Sequence, residues 1–92
     1  MLTFEWDKNK AHSNLHRHKV PFEEASTAFK DTLSLTIDDP LHSQDENRLI
    51  LLGMSYKNRL LVVIHTERDN NIRIISARKA SKKERSLYES DV

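Results

Sequence analysis

The sequence predicts an α+β domain in which two N-terminal helices and one C-terminal helix pack on an antiparallel sheet of about four strands. Two patterns give this prediction. Apolar residues recur at helical spacing near both ends of the chain, and between them they alternate with polar residues at the spacing of two that strands show. A chain of 92 residues has enough length for one hydrophobic core, so we expect a single domain over residues 1–92.

Three segments carry the signals of helices: Lys8–His18, Phe22–Lys30 and Ser81 to about Glu89. Asp7 precedes the first segment as a helix N-cap. An i, i+3, i+4, i+7 repeat that starts at Phe22 defines the second. The third opens on a Ser81-x-x-Glu84 capping box, and we expect its Leu87 and Tyr88 to face the sheet.

Four segments carry the signals of strands: Leu33–Ile37, Arg48–Ser55, Arg59–Arg68 and Ile72–Arg78. Leu2–Glu5 also alternates and can add a short edge strand, and Leu41–Glu46 reads as a polar loop. The two middle strands are rich in aliphatic residues, which favours burial on both faces. The turns between the last three strands contain Asn and Asp, which tolerate the left-handed backbone of tight hairpins.

The turn after Arg68 leaves the register of the last hairpin open. A two-residue turn puts His65 and Arg78 on one face of the sheet, whereas a three-residue turn puts Arg68 and Arg78 together. The sequence alone does not choose between these registers.

Composition excludes several classes of protein. The chain has no cysteine, which excludes disulfides, zinc–thiolate sites and thiol catalysis. The first ten residues lack the apolar run of a signal peptide, and the longest apolar run, Leu60–Ile64, is too short to span a bilayer. We therefore expect a cytoplasmic protein without a membrane segment.

Charge is distributed unevenly along the chain, although the net charge is only +1. Acidic residues outnumber basic ones in the first half, and the reverse holds in the second half. This asymmetry is typical of a chain with one face suited to polyanions. An ordinary mixed surface explains it equally well.

Cations crowd the last third of the chain: Arg68, Arg73, Arg78, Lys79, Lys82, Lys83 and Arg85. Because a guanidinium group matches phosphate oxygens two at a time, this cluster indicates phosphate binding. Solvated strand ends and a basic helix start are the alternative. His65, late in an apolar strand, suits either a general acid or base or a half-buried structural side chain. His12 and His16 lie one helical turn apart, a spacing that a solvated basic helix face explains better than a metal site.

Three stretches together resemble the BrnT family of ribonuclease toxins from type II toxin–antitoxin systems. They are Phe4–Lys10 with Asn14–His18 and Phe22–Ala25, then Leu60–Arg68, and finally Arg73–Ala80 with Glu84–Tyr88. The resemblance covers nearly the whole chain in order. It implies a RelE-like fold and an endoribonuclease that needs no metal or other cofactor, cleaves RNA and inhibits translation and growth. It also implies a BrnA-type antitoxin as the partner in a hetero-oligomer. Because the sequence has no helix-turn-helix pattern, we expect operator DNA to be contacted only through the antitoxin.

The resemblance also assigns candidate residues by position. Arg68 and Arg78 are the leading catalytic candidates, with His65 behind them. Five further cations are candidates for RNA binding: Lys10, Arg48, Arg73, Lys79 and Arg85. The chain departs from the family at Lys19-Val20-Pro21 and at Asp69-Asn70, where the family has glycine-containing turns, so we expect the first turn to be built differently here. A non-catalytic RNA- or antitoxin-binding module in a repressor complex is the alternative function.

Overall fold

A computed structural model describes residues 1–39 and 47–90 of the chain. In order they form β1 (Thr3–Glu5), α1 (Lys8–His18), α2 (Phe22–Thr27) with a 3₁₀ turn (Ala28–Lys30), β2 (Leu35–Asp38), β3 (Arg48–Met54), β4 (Leu60–Arg68), β5 (Asn71–Lys79) and α3 (Lys82–Glu89). The five strands make one sheet in the order β1-β5-β4-β3-β2. The loop predicted over Leu41–Glu46 lies outside the described residues.

The predicted helices are confirmed, two of them with the predicted caps. An Asp7 side-chain oxygen accepts hydrogen bonds from the backbone N–H groups of Asn9 and Lys10, at 2.8 and 3.1 Å, and begins α1. Ser81 and Glu84 make both hydrogen bonds of a capping box at the start of α3. The helix predicted over Phe22–Lys30 changes into a 3₁₀ turn after Thr27.

The predicted strands are confirmed to within two residues at each end, and the sheet gains a fifth member. β1 pairs with β5 in parallel, with Phe4 opposite Ile72, whereas every other neighbouring pair of strands is antiparallel. Leu33, predicted as the start of β2, lies instead in the preceding turn with its side chain exposed. The sheet is therefore mostly antiparallel, and at its parallel edge the first strand of the chain pairs with the last.

The helices divide the sheet into two unlike faces. α1 and α2 cover one face, which we call the helix-covered face, and its core residues are almost wholly buried: Val20, Phe22, Ala25, Ala28, Leu51, Leu61, Val63, Ile72, Ile74 and Ala77. α3 packs on the other face at one end only, where Tyr88 contacts a small cluster of Leu52, Leu60 and Val62. The remainder of that second face is the part of the sheet that these helices leave open.

The orientation of α3 on the sheet differs from the prediction at one residue. Tyr88 is buried against the sheet and donates a hydrogen bond to Asp31 at 2.6 Å. Leu87, which we also expected to face the sheet, lies at the edge of the helix and is 55% exposed. Consecutive residues on a helix are about 100° apart, so fixing Tyr88 inward turns its neighbour toward the helix edge.

Asn14 connects α1 to the open edge of β5. Its amide nitrogen donates to the carbonyls of Val20 and Ala77, at 3.0 and 2.9 Å, and its amide oxygen accepts from the N–H of Ala77 at 3.0 Å. The buried side chain thus takes the place of a strand partner for Ala77. Since a buried polar group is stable only when it is paired, this contact fixes α1 against the sheet.

Candidate nucleic-acid interface

A β-bulge decides which side chains share a face of the last hairpin. The turn at Asp69-Asn70 has two residues and pairs Arg68 with Asn71, but the register shifts by one between Ile64 and His65. Beyond that shift, Arg78 pairs with Val62 rather than with Leu61. A one-residue shift moves every later side chain to the other face. Arg68 and Arg78 therefore share a face, and His65 lies on the opposite one.

Four arginines follow the alternation of their strands onto the face opposite α1 and α2: Arg48, Arg68, Arg73 and Arg78. We call this surface the arginine face. Its central row runs across three strands, from Arg48 through Thr66 to Arg73. Since neighbouring strands lie about 4.8 Å apart, the backbones of Arg48 and Arg73 are roughly 10 Å from each other. This row thus places two phosphate-matching groups within the span of one or two nucleotides.

A shallow cavity of about 250 Å³ opens beside this row, lined by Glu5, Thr66, Arg68, Asn71 and Arg73. Arg73 Nη1 donates to Glu5 Oε2 at 2.8 Å, and Asn71 donates a hydrogen bond to the other Glu5 oxygen. The parallel pairing of β1 with β5 brings Glu5 to this place. Glu5 therefore orients the guanidinium group of Arg73, which stays half exposed at the mouth of the cavity.

Arg78 lies at the far end of the arginine face and is held by α3. Two nitrogens of its guanidinium donate to the two carboxylate oxygens of Glu84, each at 2.8 Å. These hydrogen bonds, with the capping contacts at Ser81, lower the pKa of Glu84 to about 2. Arg78 is thus fixed in orientation, and Glu84 occupies the fork that a phosphate would otherwise use.

Arg68 and Arg78 share a face but do not lie together. Arg78 pairs with Val62, which is six residues before Arg68 on β4. At about 3.3 Å per residue this separation is roughly 20 Å. One phosphate cannot contact both arginines, so these two leading candidates can act only at different points along a bound strand.

The structure does not bring His65 to the arginine face. Its side chain is 0% exposed and packs edge-on against Phe29, with ring centroids 4.8 Å apart. One ring nitrogen lies 3.1 Å from the Val63 carbonyl oxygen, and the other lies 3.1 Å from a carboxylate oxygen of Glu67. Both ring nitrogens have partners inside the domain, which fits the structural interpretation of this histidine.

The remaining predicted RNA-binding residues are dispersed. Lys79 pairs with Leu61 and therefore points to the helix-covered side. Arg85 lies on α3, where its guanidinium is 3.7 Å from Glu89. Lys10 lines a small cavity at the open edge of β5 together with Arg17 and His18. Of the five, Arg48 and Arg73 belong to the arginine face, and Lys10 adds positive charge at the edge of the sheet.

Within residues 1–39 and 47–90, no three side chains of His, Asp or Glu come close enough together to hold a metal ion. His12 and His16 line a wide basic cleft with Lys19, Lys57 and Arg59. In the same described part of the chain, no helix is long and apolar enough to cross a membrane.

Sequence reasoning missed the polar residues that support the arginines. Glu5, Thr66 and Asn71 come together only because β1 joins β5 in parallel and the last hairpin pairs across its turn. Each is an ordinary strand residue in the sequence. The alternation of Leu2–Glu5 was a signal for the edge strand, but it contained no information about the neighbour of that strand.

The fold and this site define a class of protein: a small α+β domain that presents guanidinium groups on one open sheet face, an arrangement suited to a polyanion. Comparisons with known proteins make the class specific. The family model described as the ribonuclease toxin BrnT of type II toxin–antitoxin systems matches residues 6–84. The crystal structure of the Brucella abortus ribonuclease toxin BrnT is similar in fold at 20% sequence identity and a TM-score of 0.69, covering 89% of this chain and 100% of that chain. No match was found among curated proteins.

The family match covers most of the chain, so this protein belongs to the BrnT ribonuclease toxin family of type II toxin–antitoxin systems. The fold predicted from the sequence is confirmed by the similarity to a solved BrnT structure. The family is one of ribonuclease toxins, which makes the chain an endoribonuclease. A toxin of this type also has a cognate antitoxin as its partner.

Proposed function

We propose that the chain is a cytoplasmic toxin that cuts RNA on its arginine face, without a metal ion or other cofactor, and thereby inhibits translation and growth. The observation that carries this proposal is the central row of Arg48 and Arg73, with Arg68 beside it, on the open face of the sheet. Unpaired RNA can lie across the arginine row, because its phosphates would meet guanidinium groups on neighbouring strands.

The chemistry that suits such a site is attack by a ribose 2′-hydroxyl on the adjacent phosphate. The attack forms a 2′,3′-cyclic phosphate and releases the 5′-hydroxyl of the next nucleotide. The 2′-hydroxyl loses its proton and the departing 5′-oxygen gains one, while the non-bridging phosphate oxygens gain negative charge in the transition state. Positioned guanidinium groups stabilise that charge more strongly than they bind the starting phosphate. In this proposal Arg73, oriented by Glu5, and Arg48 flank the reacting phosphate, while Arg68 neutralises the same or a neighbouring one.

Arg78 serves the proposal in a different way. At roughly 20 Å from Arg68, and with its fork paired to Glu84, it lies outside the chemical step and adds only to the positive field that attracts a bound strand. His65 has no part in proton transfer here, since its ring is enclosed on the helix-covered face.

A cleavage assay on the purified chain, freed of antitoxin and supplied with labelled RNA in excess EDTA, tests the proposal. We expect cleavage with cyclic-phosphate ends. Arg73→Ala should lower kcat about a hundredfold, because it removes one transition-state contact. Arg78→Ala should act mainly on KM. Lys57→Ala is the matched control, since this exposed cation lies on the β3–β4 hairpin away from the arginine face.

Two results of this assay would contradict the proposal. The first is intact RNA after incubation with the folded wild-type chain, which would show that the chain has no metal-independent activity. The second is an equal loss of kcat in Arg73→Ala and Lys57→Ala, which would show that total charge matters and the arginine face does not. Circular dichroism of each variant checks that the fold is retained.

We also propose that the partner is a BrnA-type antitoxin, that toxin and antitoxin form a hetero-oligomer, and that only the antitoxin contacts operator DNA. The support is that the chain shows no helix-turn-helix pattern, and its clustered arginines belong to the RNA site proposed above.

A further inference from the structure

An apolar groove that the proposed RNA site does not use lies between the edge strand β2 and α3. The groove has a volume of about 240 Å³ and is lined mainly by aliphatic side chains: Leu35, Ile37, Ile50, Leu52, Val62 and Leu87. Two of these extend into solvent, with Ile37 57% and Leu87 55% exposed. A contiguous apolar groove of this kind marks a binding surface more often than isolated exposed residues do.

The walls of the groove are held in place. On one side, Tyr88 is bound to Asp31 and Arg78 to Glu84, so α3 has a polar anchor near each end. On the other side, β2 is paired residue by residue with β3 from Leu35 to Asp38. A groove with fixed walls needs little ordering when a partner binds, which favours affinity.

β2 also offers a backbone for pairing. It is one edge of the sheet formed by residues 1–39 and 47–90. An extended segment that pairs with an edge strand places alternate side chains on one face of the sheet. On this face those side chains would cover Ile37 and enter the groove toward Leu87.

Glu84 also lines the groove and is paired with Arg78, while cations lie along the strand and the helix beside it. Arg48 lies two residues before Ile50 on the same face of β3, and Lys83 lies one helical turn before Leu87 on α3. Arg78 borders the inner side, already paired with Glu84. An isologous pair of this chain would bring these cations together across the interface, so charge disfavours a second copy as the occupant. The aliphatic lining is unsuited to RNA.

We propose that the groove is the docking site of the cognate antitoxin, which binds there through an extended segment that adds to the β2 edge and carries alternating aliphatic and acidic side chains. The aliphatic side chains fill the groove, and the acidic ones pair with Arg48 and Lys83. Because Arg48 also belongs to the arginine face, the same segment covers part of the RNA site, which explains how docking would neutralise the toxin. This proposal rests on the proposed toxin function, since it takes the occupant to be the antitoxin.

The test measures antitoxin binding and RNA cleavage separately on the double variant Ile37→Glu/Leu87→Glu. Both side chains are more than half exposed, so the fold should tolerate the change. We expect RNA cleavage within about twofold of wild type and a Kd for the purified cognate antitoxin at least about thirtyfold weaker, because each substitution removes an apolar anchor and sets a carboxylate against acidic partner groups. Leu15→Glu is the matched control, since Leu15 is 45% exposed but lies on α1, on the other side of the sheet.

Each outcome decides the proposal. Antitoxin binding by the double variant within about twofold of wild type overturns it, as does an equal loss of binding in Leu15→Glu. A shift of the free chain from dimer to monomer in Ile37→Glu, with antitoxin affinity unchanged, overturns it in favour of a second copy. If the double variant unfolds, the single variants Ile37→Glu and Leu87→Glu replace it. A wild-type chain that binds antitoxin through the groove but leaves RNA intact would refute the proposed function and leave the groove as the docking site.

Discussion

At the scale of single residues, the ion pair of Glu24 and Arg59 joins a buried carboxylate to a partly exposed guanidinium group. Glu24 is almost fully buried at the end of the helix-covered face. Its carboxylate accepts from the Ser55 hydroxyl at 2.7 Å and from two Arg59 nitrogens, and a nitrogen of Arg59 also donates to the Lys19 carbonyl at 3.1 Å. Hydrogen bonds from Arg59 lower the pKa of Glu24 despite its burial. The pair therefore ties α2 and its preceding turn to the β3–β4 hairpin.

Arg59→Met should lower the free energy of unfolding by about 3 kcal/mol, because it leaves a buried carboxylate without its cation. Adding Glu24→Gln to that variant should recover at least half of the loss, since the uncompensated charge is then gone. Urea denaturation at pH 7 measures both. Lys57→Ala, which removes an exposed cation two residues away, should change stability by less than about 0.5 kcal/mol. A double variant as unstable as the single one would contradict the explanation.

At the scale of an element, the end of α1 is strained. Lys19 is the C-cap, with φ 61° and ψ 31°, and its N–H donates to the Leu15 carbonyl at 3.0 Å. This left-handed conformation costs a residue with a Cβ atom about 1 kcal/mol, whereas glycine adopts it freely. The turn that we expected to be built differently is thus built with the backbone that glycine favours, but from a lysine.

Lys19→Gly should therefore raise the free energy of unfolding by about 0.5–1 kcal/mol, provided that the relief of strain exceeds the entropy that glycine adds to the unfolded chain. The backbone carbonyl that Arg59 contacts is retained. Thermal or urea unfolding measures the gain. Lys19→Ala is the control, since it removes the same side chain and keeps the strain. Equal stability of the two variants would show that the left-handed cap is not strained.

At the scale of the whole molecule, three carboxylates connect separate parts of the fold. Glu24 binds Arg59 and Glu84 binds Arg78, and these hydrogen bonds lower the pKa of each acid. Burial disfavours the Asp31 carboxylate, but hydrogen bonds from Tyr88, Met54 and Leu33 outweigh it and lower its pKa as well. Acid should therefore weaken the contacts of α2, β3 and α3 over one range of pH.

The sign of the effect follows from the lowered values. An acid whose folded pKa lies below its ordinary value stabilises the folded state above that ordinary value and loses this contribution as pH falls through the folded pKa. With ordinary values of 3.8 to 4.5 and a folded pKa of about 2 for Glu84, the contribution of these three carboxylates to stability should be fully present above pH 5 and fall steeply between pH 4.5 and 2. Urea titrations at several pH values check this. Glu84→Gln should make the fall shallower, and a flat profile down to pH 2 would contradict the assignment.

Much of the local structure could be predicted from the sequence because its signals span only a few residues. Asp7 and the Ser81–Glu84 box gave the starts of α1 and α3, and period-two alternation gave the strands. Of the two α3 residues predicted to face the sheet, Tyr88 is buried and Leu87 is half exposed at the groove, because the hydrogen bond from Tyr88 to Asp31, far away in sequence, sets the rotation of the helix. Asn14 was missed for the same reason, since its partner Ala77 is on β5.

The sequence by itself determined the order of elements, their caps and the supply of arginines in the second half of the chain. Only the tertiary structure decided which side chains share the arginine face. A single bulge in β5 turns Arg78 onto the face of Arg68, opposite His65, and the parallel pairing of β1 places Glu5 against Arg73. The bulge and the parallel pairing both depend on which register buries the most apolar surface under α1 and α2. That depends on how the whole domain packs, and a local sequence pattern does not contain this information.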